Sequence, residues 1–373
     1  MVDKKKQFSI LATLLVISSN FIPFVVCHGI IPADVSKLNQ WITENVKEFA
    51  AQNAANGQNG SGLDAVLATA EASPQVITVN QRGPGDFKTI TDAVKSIPPE
   101  NTKRVIIKIG PGEYKEKITI DPSRKFVTFF GDPSIPKIMY DASAAQYGTV
   151  NSSTVAVEGD YFMAVNIEFV NSCPPPDAKR FDQQAVALRV TGDKAAFHNC
   201  RFIGFQDTLC DFIGRHLFKD CYIEGTVDFI FGDGQSIYLN STIKSVATGL
   251  SVITAHARQE VSGASGFAFV HCKIIGSGDT YLGRAWKFSP RVIFAYTFMG
   301  EHINDIGWLN GMTGEPTKND KQVFYGEYQC SGPGAETTGR AKFAKILTDE
   351  EVQPFLSLNY LNGTSWVLHP PKV

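Results

Sequence analysis

The sequence lacks most of the signatures that would declare a chemistry outright. It has no Cys-x-x-Cys pair, which excludes the common structural zinc sites. It has no Gly-x-Ser-x-Gly, and SGASGF at 262–267 has the wrong spacing, so a serine nucleophile elbow is excluded. His28, His198, His216, His256, His271, His302 and His369 are scattered, with no spacing that suits a metal. Charged residues are only 19% of the chain and the net charge is −2, which leaves no basic surface for nucleic acid. No LxxLxL framework is present. After the N-terminus, no apolar run is long enough to span a membrane.

The sequence is rich in turn formers and strand formers. Thirty-two Gly and 19 Pro imply many turns, and 43% apolar residues exclude disorder. Lys4, Lys5 and Lys6 precede an apolar stretch that runs to Val26, with Val25 and Cys27 at the small-residue positions of a cleavage site. Residues 1–27 therefore read as a secretory signal peptide, and the protein as secreted to the extracellular space. Its removal takes away Asp3 and three lysines, so the net charge goes from −2 to −4. Six cysteines then remain, an even number that permits disulfides. Sequons occur at Asn59, Asn151, Asn240 and Asn362.

Residues 28–76 read as a short helical segment, with Val35, Leu38, Trp41, Ile42, Val46 and Phe49 at helical spacing, followed by a polar linker. A second helical pattern lies in DFKTITDAVKSIP, where Phe87, Ile90, Ala93, Val94 and Ile97 share one face. Short apolar runs dominate from Arg104 onward, and they repeat. FHNCRFIG (197–204), FKDCYIEG (218–225) and FVHCKIIG (269–276) share the form F-x-x-C-x-[FI]-x-G. IYLNSTIKS, IFAYTFMGE and FMAVNIEFVN are weaker copies, giving centres at Ile167, Cys200, Cys221, Ser241, Cys272 and Tyr296. A strand-rich unit of this length suits stacked coils. The fold expected over 77–373 is all-β, a right-handed parallel β-helix, with the helix around Phe87–Ile97 capping its open first coil.

The repeat also predicts a site. Asp207 follows Cys200 by seven residues, and Asp228 follows Cys221 by seven. In register they stand on neighbouring coils about 4.8 Å apart. Asp279 has the same offset from Cys272 but lies further along, and it reads as a turn residue. Two carboxyls so close cannot both ionise easily, so one becomes an acid and the other a base or nucleophile. Three readings follow: a retaining glycosidase, acyl transfer by an aspartate, or a non-catalytic acidic ladder on a carbohydrate-binding solenoid. Gln206, Gln183 and Gln184 favour acyl transfer, because side-chain amides can hold an oxyanion. Arg284 and Trp286 in YLGRAW offer a cation for a carboxylate and an aromatic face for a sugar.

Five motifs in order, GEYKE (112–116), QAVALR (184–189), GFQDTL (204–209), GTVDFIFG (225–232) and LGRAW (282–286), resemble those of the plant pectin methylesterases. The resemblance runs from about Ile77 to near the C-terminus. It implies hydrolysis of galacturonate methyl esters in pectin, with release of methanol and no metal or organic cofactor. It implies Asp228 as nucleophile, Asp207 as general acid/base, Gln184 and Gln206 as oxyanion hole, Arg284 as the residue that orients Asp228, and Trp286 as a wall of the sugar cleft. Methyl-esterified homogalacturonan is the implied partner, with a proteinaceous inhibitor as a second and a monomer as the expected state. Ala285 stands where many members have proline, and SCPPPDAKRFDQ before Gln184 is an unusual loop. About fifty residues between signal and core are too few for the helical pro-region of longer members. Cys200 and Cys221 sit at disulfide range on adjacent coils, and the expectation is that they are inward-facing thiols.

Overall fold

A computed structural model describes residues 29–47, 62–177, 179, 181–309 and 322–373. The expected signal peptide, Phe49, most of the polar linker and Asn59 lie outside the described residues. Strands are parallel and short, and each coil adds one to each of three faces. The first face is an 11-stranded sheet from Gln75–Val79 to Ala344–Ile346. The other two are joined into one sheet by the long strands Thr242–His256 and Lys273–Ala285, each of which bends around a corner. This is the expected right-handed parallel β-helix. Its first strand starts at Gln75, two residues ahead of Ile77.

The repeat arises at the corner between the first and second faces. Phe197, Phe218, Tyr238, Phe269 and Phe294 are in register on the first face. Their rings stack inside the helix with centroids 4.8, 4.6, 4.4 and 4.6 Å apart. Each such pair adds about 0.5–1.5 kcal/mol beyond the area it buries. Two residues later comes a left-handed residue: Asn199, Asp220, Asn240, His271 and Tyr296 all have φ between 50° and 56°. The next residue turns inward, and it is Cys200, Cys221, Ser241, Cys272 or Thr297. One reading is thereby corrected: Tyr296 is the corner residue of its coil, and Thr297 takes the place of the cysteine. The mismatch arose because IFAYTFMGE has no cysteine to fix its alignment. The inward thiols and hydroxyls donate to corner carbonyls, for example Cys221 Sγ to Lys219 O at 3.4 Å and Thr297 Oγ1 to Ala295 O at 3.1 Å. Cys200 and Cys221 are free thiols, as expected.

The helix Ile90–Ser96 closes the first coil, burying Ile90, Ala93 and Val94 against the core. Its N-terminus explains the GEYKE motif. Glu116 accepts from Ile90 N at 3.0 Å and Thr91 N at 2.7 Å, so the carboxylate caps donors that have no partner within the helix. Tyr114 is buried and its hydroxyl donates to Gly110 O at 2.9 Å. That motif fastens the cap to the solenoid and takes no part in the site. Among the described residues no helix is long and apolar enough to cross a membrane.

Candidate active site

The site lies on the third face. Strands Leu209–Asp211 and Ile230–Gly232 pair in parallel, with Leu209 opposite Ile230. Asp207 and Asp228 each precede their strand by two residues, so they occupy the same position on successive coils. Asp207 N donates to Val227 O at 3.1 Å, which continues that register into the turn. Both aspartates have left-handed backbone, at φ 64° and 52°. Aspartate is one of the few non-glycine residues that tolerates this region. The turn is tight: a Cβ on Gly225 would come within 2.2 Å of Phe229 Cβ. The apolar neighbours in GTVDFIFG are therefore strand and core residues, and the turn directs the carboxylate between them out into a cleft.

Arg284 answers the burial of Asp228. Its Nε donates to Asp228 Oδ1 at 2.7 Å and its Nη2 to Oδ2 at 2.5 Å, a two-pronged ion pair. Asp228 is only 5% exposed, so an unpaired charge there would be costly. The arginine comes from two coils further on. Phe231 lies opposite Ala255 and Ala255 opposite Arg284, so the long side chain reaches back across a residue with almost no side chain. Asp207 has no such partner, and among the described residues its carboxyl accepts no hydrogen bond. Burial raises its pKa well above the usual carboxylate range, the charge of Asp228 raises it further, and Arg284 opposes both.

Gln206 directly precedes Asp207 on its own coil, and Gln184 stands on the coil before it. Neither side-chain amide has a hydrogen-bond partner among the described residues. Gln184 Oε1 is buried and unpaired, which leaves its NH2 as the end open to the cleft. Donors kept free in a cleft suit a charge that develops only during reaction. Trp286 forms a wall, 37% exposed, with its ring edge-to-face against Phe231 at 5.7 Å.

All six predicted site residues line one cleft of about 290 Å³. Thr149, Val150, Phe231 and Ala255 complete it, and sequence reading did not identify them as site residues. Register with Arg284 could have revealed Ala255, but no motif marks Thr149 or Val150. Cys210 forms part of the apolar floor with Val186, Phe231 and Ala255. Burial raises its thiol pKa well above the usual range, so it is no rival nucleophile. Asp279 is exposed and accepts from Asn304 Nδ2 at 2.7 Å; it lies within the strand Lys273–Ala285, opposite Leu250, and not in the turn expected for it. A larger groove, about 380 Å³, runs along Val66, Phe126 and Tyr161 and contains none of the predicted site residues.

The family profile described as Pectinesterase matches residues 76–364. The Arabidopsis thaliana protein named "Probable pectinesterase 50" is 46% identical over 370 residues, covering 98% of this chain and 99% of its own. Pectinesterase 2 of Olea europaea is 45% identical over 358 residues, covering 95% of each chain. Among solved structures, the pectin methylesterase from carrot superposes with a TM-score of 0.72 at 31% identity, over 80% of this chain and 97% of that one.

Proposed function

We propose a mechanism on the premise that follows from these matches: the chain belongs to the pectinesterase family. It hydrolyses methyl esters of galacturonate in pectin, releasing methanol and leaving a free carboxylate. The observation that carries our assignment of roles is the asymmetry of two stacked aspartates, one forked by Arg284 and one without a partner.

Asp228 is the nucleophile. Arg284 fixes both its oxygens, so one lone pair faces the ester carbonyl at a defined angle. Attack gives a tetrahedral oxyanion, and the amides of Gln184 and Gln206 donate to it. Asp207, protonated because it is buried beside a like charge, gives its proton to the departing methoxide, and methanol leaves. What remains is an anhydride between substrate and Asp228. Asp207, now a carboxylate, takes a proton from water as that water attacks the substrate carbonyl. The anhydride opens, Asp228 is freed as carboxylate, and Asp207 is again protonated. Atoms balance as ester plus water giving acid plus methanol. Trp286 holds a sugar ring against its open face.

The setting is part of the same proposal. Residues 1–27 are a leader that is removed, 28–76 are a helical segment and linker, and 77–373 form the catalytic β-helix. The mature protein acts as a monomer on homogalacturonan in the cell wall, and a proteinaceous inhibitor is a candidate partner for the cleft. Asn151, Asn240 and Asn362 are exposed, as glycan acceptors must be.

The test is methanol release from highly methylated pectin, with reducing ends counted in the same tube, for the wild type and Asp228→Ala. Methanol without new reducing ends, lost in the variant, is the expected result. New reducing ends would mean glycosidase chemistry, and methanol release that survives Asp228→Ala would remove the nucleophile from its role.

A further inference from the structure

Among the described residues the amide of Gln184 makes no hydrogen bond, so its position is set through its backbone. That backbone is held on both sides. Gln184 O accepts from Ala144 N at 2.8 Å, and Ala185 N donates to Gln206 O at 3.1 Å. Val186 N donates to Ser152 Oγ at 3.1 Å, and Ser152 Oγ donates in turn to Thr149 O at 2.6 Å. Gln184 therefore leans on the segment 142–152, which also supplies Thr149 and Val150 to the cleft wall.

One side chain ties that segment to the solenoid. Asn171 ends the strand Glu168–Asn171 on the second face and is 2% exposed. Its Nδ2 donates to Ala142 O at 2.8 Å, Ser152 O at 3.2 Å and Val186 O at 3.0 Å. Its Oδ1 accepts from Cys173 N at 3.1 Å. The three carbonyls belong to the start of the segment, its end, and the residue two past Gln184. Only an amide offers two N–H groups and an acceptor from one small planar head. We propose that Asn171 is a positioning residue for the oxyanion hole, acting through Ser152 and the backbone of 184–186 on Gln184. The proposal rests on the reading of Gln184 as an oxyanion donor. Removing the amide leaves Ala142 O and Ser152 O to find other partners, while Val186 O keeps Thr154 N at 3.0 Å, and the segment shifts as they do. Donors to a developing charge tolerate displacements of only about 0.5 Å before they lose most of their effect.

A merely structural asparagine would also lower activity, so the test is a double-mutant cycle. Asn171→Ala and Gln184→Ala are made singly and together, and kcat and KM are measured on methylated pectin well below the melting temperature. Asn171→Ala is expected to lower kcat by about 10- to 100-fold with KM changed less than about threefold. In the Gln184→Ala background it should lower kcat by no more than about threefold, because the amide it positions is gone. Equal losses in both backgrounds would overturn the proposal and leave the oxyanion reading intact. If Gln184→Ala itself leaves kcat within about threefold of wild type, the oxyanion reading fails and the proposal with it. Should Asn171→Ala not fold, Ser152→Ala runs the same cycle with a smaller expected loss, and it too must lose its effect beside Gln184→Ala.

Discussion

Asp207 and Asp211 lie four residues apart on one coil and have opposite surroundings. Asp211 is fully buried, accepts from Tyr238 Oη at 2.7 Å and meets His216 Nδ1 at 2.5 Å. His216 Nε2 faces Gly192 O at 3.0 Å, so each polar atom of this internal cluster has a partner. Asp207 is also buried, yet its carboxyl has no hydrogen-bond partner among the described residues and its pKa is raised by that burial. Burial alone therefore does not mark the functional acid. A satisfied carboxylate holds the coil together, and an unsatisfied one at a cleft is available to exchange a proton with substrate.

Exchanging the two amputations gives the largest contrast. Asp207→Asn should lower kcat for methanol release by about 10²–10⁴-fold, the usual worth of a general acid/base. It should not lower stability. The folded-state pKa of Asp207 lies above its unfolded value of 3.8, so the native protein binds its proton more tightly, and stability falls as pH rises through the raised value. Asn removes that loss. The variant should melt above wild type at neutral pH, and the gap should close below about pH 4, where the aspartate is protonated in both states. Asp211→Ala should do the reverse. It strands His216 and Tyr238 in the interior and should cost about 3–5 kcal/mol in urea unfolding. The fraction that folds should keep its KM. Comparable kcat losses in both variants, with no difference in stability, would erase the distinction.

The other member of the pair sharpens it. Asp228 is buried like Asp211 and paired like Asp211, but its partner is a guanidinium from two coils away, and one edge faces a cleft. Arg284→Lys keeps the charge and loses the two-pronged geometry. We expect kcat to fall by about 10- to 100-fold, consistent with losing one charge-assisted hydrogen bond. Methanol assays set beside thermal melts check this, since a stability loss with unchanged kcat would make Arg284 only a counter-ion.

Much of this was legible because the solenoid writes its period into the sequence. The spacing of seven from Cys200 and Cys221 placed Asp207 and Asp228 on one line, and parallel register is rigid enough for that arithmetic to hold. The arithmetic failed in one of the coils that lack the cysteine, where Tyr296 took a place that belongs to Thr297. The corner itself was invisible, since its left-handed residue is written as Asn, Asp, His or Tyr from one coil to another. Glu116 could not be read as a helix cap, because its partners Ile90 and Thr91 are more than twenty residues away. The cluster of Asp211, His216 and Tyr238 was equally hidden. Its members share no motif, and only the closing of the coil brings Tyr238 to within hydrogen-bond reach of Asp211. Thr149 and Val150 enter the cleft from the start of the short 3-10 helix Val150–Ser152, which lies outside the repeat, so its period carries no information there.

The smallest expected effect tests where the cleft ends and the fold begins. Trp286 touches Phe231 by one edge, has Lys287 Nζ 5.7 Å from its ring centre, and keeps 37% of its surface open. A core tryptophan such as Trp308 is 1% exposed and stacks on Tyr325 at 4.3 Å. Truncating Trp308 would open a cavity, at about 3–5 kcal/mol. Truncating Trp286 removes a face that only a bound sugar would use. Trp286→Ala should therefore raise KM for pectin by about 3- to 10-fold, the worth of one ring contact, with kcat and melting temperature close to wild type. Trp286→Phe should recover most of that, since the smaller ring still presents a flat face. A fall in kcat instead would mean that the indole reaches the reacting ester, and that the wall of the cleft is part of the machinery that Asp207 and Asp228 share.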